Sequence, residues 1–196
     1  MMGTGGLRHS VLIVSGTQSG AAHLTELLSP AEFSPVSCVY SGSDARRMLL
    51  KGGFDFVFVN TPLPDEFGHE LALHAAEEHG ATVMLLSKSE HFEEISEMLS
   101  AHGIMAVQRP VSRPVFYQAL RLMTATLNRL SGFEAENRRL REKMEELRIV
   151  SRAKCILVEY LRMSEQQAHR YIEKQAMDLR TSKRNIAERI LKTYDA

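Results

Sequence analysis

The sequence predicts an α/β fold, a doubly wound parallel sheet of five strands, followed by a coiled-coil helix and a small three-helix C-terminal bundle. Three observations predict it. Through the first half of the 196 residues, short apolar runs alternate with helical stretches, the pattern of a parallel sheet covered on both faces. Apolar residues at heptad spacing follow. The last fifth, "SRAKCILVEYLRMSEQQAHRYIEKQAMDLRTSKRNIAERIL", then reads as three short amphipathic helices joined by tight turns.

Taken in order, "VLIV" after Ser10 is a buried strand, "SGTQSG" is the turn that follows, and a helical stretch runs to Leu28. A short strand, "VSCVY", leads to a helix from Ser43 that ends before Gly52 and Gly53, glycine being a common helix terminator. "FDFVFVN", a helix over "HELALHAAEEHG", "TVMLLS", a helix over "HFEEISEMLSAHG" and "IMAVQ" continue the alternation. In such a sheet, chemistry gathers at the carboxyl ends of the strands. His69, His74 and His79 recur every five residues, a step of about 140° on a helix, so they fan around it instead of sharing a metal-facing side.

This order of elements resembles the receiver domain of bacterial response regulators, with "NTPLPDEFG" in the place of the phosphoacceptor loop and Pro64 and Gly68 at its proline and closing glycine. Against that resemblance, Asn60 stands where the phosphorylated aspartate belongs, and a neutral amide cannot attack a phosphoryl donor or carry an acyl phosphate. Ser15 and Gly16 replace the acidic pair after the first strand, so the carboxylates that would hold magnesium, a hard cation needing charged oxygens, are absent together. Ser87 matches the hydroxyl position after the fourth strand. Arg109, before Pro110, stands where lysine is usual and keeps its charge but not its compact ammonium. "GIMAVQRP" has no aromatic switch residue. Ser15, Gly16, Asn60, Ser87 and Arg109 thus form a degenerate phosphoacceptor pocket. Residues 1–118 are expected to be a pseudo-receiver, with 1–8 disordered, that does not switch by aspartyl phosphorylation. A plain doubly wound domain unrelated to receivers is the alternative.

Pro110 and Pro114 punctuate the entry to a helix that begins near Val115 and has no clear stop before the tail. With heptad position a at Met123, Leu130, Asn137 and Met144, position d takes Thr126, Phe133, Leu140 and Leu147. The seam is continuous from Leu130 to Leu147. Asn137 at a core position is best satisfied by the same residue of a parallel, in-register partner. Residues 119–150 are therefore expected to form a homodimer along Leu130, Phe133, Asn137, Leu140, Met144 and Leu147. Flanking charges partly agree: Arg129 with Glu134 and Glu136 with Arg141 attract, whereas Lys143 with Arg148 repels, and such exposed pairs contribute little. Gly132 weakens the helix by about 1 kcal/mol relative to alanine and is a candidate hinge. The competing reading is one amphipathic helix folded back on the sheet.

In the tail, Ala153, Ile156, Leu157 and Tyr160 of a helix from Ser151 to about Arg162 fall at the spacing that buries one face. Ser164 followed by Gln167 is a capping-box start for a second helix, with Ala168, Ile172, Ala176 and Leu179 as its stripe. Thr181 or Ser182 caps a third, where Ile186 and Ile190 face inward. The other faces display Arg152, Lys154, Arg170, Lys174, Arg180, Lys183 and Arg184.

From about Ser151 to Leu191 the tail resembles the ANTAR domain, the RNA-binding module of bacterial transcription antiterminators. The resemblance rests on Ala153-Lys154, Ile156-Leu157, Ala168, Ile172, Ala176-Met177 and Ile186-Ala187. Cys155 stands where glycine is usual, Val158 where methionine is, and Glu173 where arginine is common. The resemblance implies that residues 151–196 bind stem-loops in nascent mRNA and so keep an overlapping terminator hairpin from forming. Lys154 is the contact it supports best. Arg180, Lys183 and Arg184 surround a helix start whose free amides also favour phosphate, and Tyr160 and Tyr171 are available to stack on a base.

Charge is distributed to match. The net charge of zero hides 7 Lys/Arg against 13 Asp/Glu up to Gln118, 7 against 5 up to Val150, and 10 against 6 beyond it, so a polyanion is expected at the tail. The longest apolar runs are far shorter than the roughly 20 residues of a membrane span, and "MMGTGGLRHS" lacks the plan of a secretion signal, so a cytoplasmic protein without membrane contact is expected. Cys38 and Cys155 suggest neither a disulfide framework nor a zinc site, only buried or idle thiols. No acid pair, triad or metal cluster emerges, which argues for no enzyme, no cofactor and no metal. The expected partners are mRNA stem-loops, a second copy of the chain, and a sensor or sequestering protein. A DNA-binding regulator with a helix-turn-helix tail and a dimeric scaffold that touches no nucleic acid are the rival readings.

Overall fold

The computed structural model describes residues 8–88, 90 and 92–194. The first seven residues, most of the expected disordered end, lie outside the described residues. The chain divides into two compact units, Met1–Leu127 and Asn128–Ala196.

In the first unit, β1 (His9–Ser15), β2 (Phe33–Val39), β3 (Phe56–Asn60), β4 (Thr82–Ser87) and β5 (Met105–Gln108) form one sheet in the order β2-β1-β3-β4-β5. Every pairing is parallel. Between them run α1 (Gln18–Glu26), α2 (Gly42–Leu50), α3 (His69–Glu77) and α4 (Phe92–Ser100), and α5 (Arg113–Leu161) follows. Alternate strand residues divide the apolar side chains into two layers, because successive side chains of a strand point to opposite faces. Val11, Ile13, Phe56, Phe58, Met84 and Leu86 pack with Ala21 and Leu24 of α1 and with Phe116, Leu120 and Met123 of α5. Leu12, Val14, Val57, Val59, Val83 and Leu85 pack with Ala45, Leu49, Leu71, Ala75 and Leu99 of α2 to α4. Caps start the first two helices: Thr17 Oγ1 accepts from the Gly20 amide at 3.2 Å and Ser41 Oγ from the Asp44 amide at 3.1 Å.

Strand bounds differ from their sequence expectations by up to three residues, as at the starts of β2 and β3. β2 begins at Phe33, three residues before "VSCVY", and runs through Pro35. Proline reads as a strand breaker, but β2 is an edge strand where a missing amide costs no ladder bond. β3 begins at Phe56 instead of Phe54; just before it, Asp55 Oδ2 accepts from the Ser10 amide at 2.7 Å and from Ser10 Oγ at 2.9 Å. Met123 and Leu127, the first of them assigned to the heptad seam, belong to the core of the sheet domain.

The second unit holds the remainder of α5 with α6 (Glu165–Asp178) and α7 (Lys183–Tyr194). Its core is Ala153, Ile156, Leu157, Ala168, Ile172, Ala176, Ile186, Ala187 and Ile190, the stripe read from the sequence. The first tail helix is not a separate short helix; it is the end of α5, since no glycine or proline interrupts residues 133–161. α5 also passes through Gly132 without a break. Ser164 and Gln167 make the capping box, and Ser182 Oγ accepts from the Asn185 amide at 3.2 Å to start α7. Two side chains placed in the core, Tyr160 and Leu179, are instead exposed, as is Tyr171. Leu179 is the C-cap of α6 and points past its buried stripe. Tyr160 meets Tyr194 in a tilted contact, with ring centroids 5.5 Å apart. Among the described residues no helix is long and apolar enough to cross a membrane.

Candidate functional site

The five pocket residues stand at the carboxyl ends of β1, β3, β4 and β5. Ser15 and Ser87 are buried, and Asn60 is 8% exposed. Asn60 Nδ2 donates to Ser15 Oγ at 2.9 Å, so the positions that would bring two negative charges hold an amide bonded to a hydroxyl. Gly20 at the start of α1 presses on this pair; a Cβ there would lie 2.6 Å from both Asn60 Nδ2 and Ser15 Oγ. Arg109 donates through Nη2 to the Thr61 carbonyl, and its own amide donates to the Ser87 carbonyl at 2.8 Å. Burial pulls the Arg109 guanidinium below the usual arginine range. Gly16 is exposed and faces the Pro62 carbonyl.

Magnesium does not fit this donor set. A hydroxyl, an amide and a glycine offer no negative oxygen, and among the described residues no group of three or more His, Cys, Asp or Glu side chains could hold a metal ion. The nearby loop carboxylates are engaged elsewhere. Asp65 accepts from the amides of Gly42 and Ser43 at 2.8 and 2.9 Å, capping α2. Those amide bonds hold its carboxyl down at about 2. Glu66 pairs with Arg46 through both oxygens, and Gly42 leaves the space this needs, since a Cβ there would overlap Glu66 Oε1. The loop is thereby tied to α2.

The histidines do not all fan around one helix. His79 lies beyond the end of α3, and its ring meets that of His74 edge-on at 5.0 Å. Both cysteines are exposed instead of buried.

In the second unit, the predicted basic residues are exposed or partly exposed on the helix faces left over from the core, but several are held by acidic neighbours. Lys154 Nζ donates to Glu165 Oε1 at 2.9 Å, Arg184 Nε to Glu188 Oε1 at 2.8 Å, and Lys183 Nζ to Glu173 Oε1 at 2.5 Å. The Glu165 carboxyl is drawn below its ordinary range by its bond from Lys154, and that of Glu173 by its bond from Lys183 and then by the charge of His169. Glu173, noted in the sequence only as a departure, therefore sets the position of Lys183. Arg170 and Lys174 are exposed on α6, and Arg152 on α5. Arg180 takes a left-handed conformation, φ 47, after α6, where the amide of Thr181 closes on the Ala176 carbonyl at 2.9 Å. Arg162 does the same after α5, φ 53. It is an exposed cation that sequence reasoning passed over because glycine, not arginine, marks such a cap.

Along α5, Leu130, Phe133, Leu140, Met144 and Leu147 are all more than half exposed. Asn137 is exposed among them. Arg129 lies over the Phe133 ring, 5.5 Å from its centroid; its expected pairing with Glu134 involves a side chain outside the described ones.

The first unit is a sheet of receiver type, and a helical module with basic faces follows it in the chain. Solved structures bear out the first part. The signal receiver domain of an HD domain-containing protein from Pseudomonas fluorescens Pf-5 is similar with TM-score 0.58 and 20% identity, over 67% of this chain and 97% of that one. A CheY-like receiver domain from Methylobacillus flagellatus is similar with TM-score 0.51 and 22% identity, over 60% and 99%. A family model described as the ANTAR domain matches residues 138–191, reaching further back into α5 than the Ser151 start read from the sequence. Among curated proteins, the transcriptional regulatory protein PdtaR of Mycobacterium tuberculosis is 25% identical over 170 residues, 87% of this chain and 83% of that protein. The chain thus carries an ANTAR domain at its carboxy-terminal end and also holds a receiver fold.

Proposed function

We propose that this chain is a cytoplasmic transcription antitermination regulator whose ANTAR domain binds stem-loops of nascent mRNA and whose receiver fold is not phosphorylated on aspartate. The observation that carries the reading is the ANTAR match over residues 138–191, a segment that holds the basic surface of Arg152, Lys154, Arg170, Lys174, Arg180, Lys183 and Arg184. RNA hairpins present phosphates and splayed loop bases, and cations on a small rigid core suit them. No covalent step is needed: preferential binding of one RNA fold over a competing fold shifts their balance.

The exposed stripe from Leu130 to Leu147 supports a parallel homodimer, with Asn137 paired to its counterpart. Two tails then face two stem-loops, and the second contact gains from effective concentration. Asn60, Ser15 and Gly16 support a receiver that assembles or restrains the protein, itself governed by a sensor or sequestering protein. A gel shift of the full chain with a tandem RNA hairpin beside duplex DNA tests the reading. A shift of the hairpins alone is expected; a shift of the duplex alone would favour the helix-turn-helix alternative, and no shift at low salt a scaffold.

A further inference from the structure

A cavity of about 230 Å³ opens beside the degenerate pocket, between α1, the ends of β3 and β4, and the segment leading into α5. Its walls join three kinds of chemistry. Lys88 and Arg109 bring positive charge, and no carboxylate lines it among the described residues. Leu24, Leu86 and Val111 bring an apolar side. Asn60, more than nine-tenths buried, brings an amide whose nitrogen is used by Ser15 and whose oxygen has no hydrogen-bond partner. Arg109 Nε is likewise buried without a partner. Asn60 and Arg109 both line the cavity, and each keeps a buried polar atom without a partner, which is costly unless something satisfies it. An acidic receiver pocket would repel what this one attracts.

We propose that the cavity binds a small organic acid whose carboxylate meets Arg109 and Lys88 and whose neighbouring hydroxyl or amine donates to Asn60 Oδ1, with an apolar body against Leu24, Leu86 and Val111. The volume lies below the roughly 300–1,000 Å³ of sites for drug-sized ligands, so the occupant is fragment-sized. The site is independent of RNA binding and requires no reaction.

Mandelate is the probe, because it joins a carboxylate, an adjacent hydroxyl and an apolar ring. It is titrated into the full chain by calorimetry, with methyl shifts followed at Leu24, Leu86 and Val111. Phenylacetate lacks the hydroxyl, mandelamide lacks the charge, and inorganic phosphate lacks the apolar body. Saturable mandelate binding is expected, with phenylacetate about tenfold weaker for the lost hydrogen bond. Mandelamide and phosphate should be weaker still. Lys88→Glu, at an exposed position that leaves the fold intact, and Asn60→Asp should each weaken mandelate at least about tenfold. The proposal is overturned if mandelate does not bind at about 10 mM, if phenylacetate or phosphate binds as tightly, if Lys88→Glu leaves affinity unchanged, or if the shifted methyls lie elsewhere.

Discussion

Asn60 sits at the end of β3 with its side-chain nitrogen on Ser15 and Gly20 packed against both, so an uncharged contact fills a place where a receiver needs separated carboxylates and a cation. Acetyl phosphate with magnesium should therefore leave the intact mass unchanged; a labile gain of one phosphate on the first unit would contradict this. Gly20→Ala would push a Cβ to 2.6 Å from two polar atoms. It should destabilise the first unit by about 1–3 kcal/mol, as overpacking does, read as a lower melting midpoint. Asp65 contributes a dependence on pH in the acid range. Its folded carboxyl is held at about 2 against an ordinary 3.8, so its contribution is fully present above about pH 4 and is lost as pH falls through about 2. Wild type and Asp65→Asn should converge in melting temperature over that window; parallel curves would show that the cap is idle.

Elements were legible where one signal dominated. β4 and its partners on both faces follow from unbroken apolar runs, and α6 follows from Ser164, Gln167 and a clean stripe. Legibility failed where two signals competed. Pro35 masked the start of β2, the heptad count claimed Met123 from the sheet core, and the 3-4 spacing of Tyr160 mimicked burial although the three-helix core is already filled by smaller side chains. At the candidate sites, residue identities could be read directly, but their partners could not. That Asn60 rests on Ser15, or that Glu173 holds Lys183, depends on separations of 45 and 10 residues closed by the fold. For α5, a protein dimerised along the exposed stripe should sediment as a monomer once Leu140→Arg and Met144→Arg are combined, because a charge in an apolar seam is left unpaired. Unchanged mass against wild type would remove the stripe from the interface.

Across the whole chain, acidic residues dominate the sheet domain and basic ones the tail, so the zero net charge describes neither part. Under the proposed function, a polyanion at the tail would compete with the carboxylates bonded to Lys154 and Lys183, which favours ligands offering several phosphates at once over isolated anions. The most direct test is the salt dependence of tandem-hairpin binding by the wild-type chain, Lys154→Ala and Lys183→Ala. Tight binding at low salt is expected, with a steep linear loss of log affinity with log salt and a slope shallower by about 1 in each variant. Hairpins ignored by the wild type at low salt, or slopes that do not change, would contradict the proposed function.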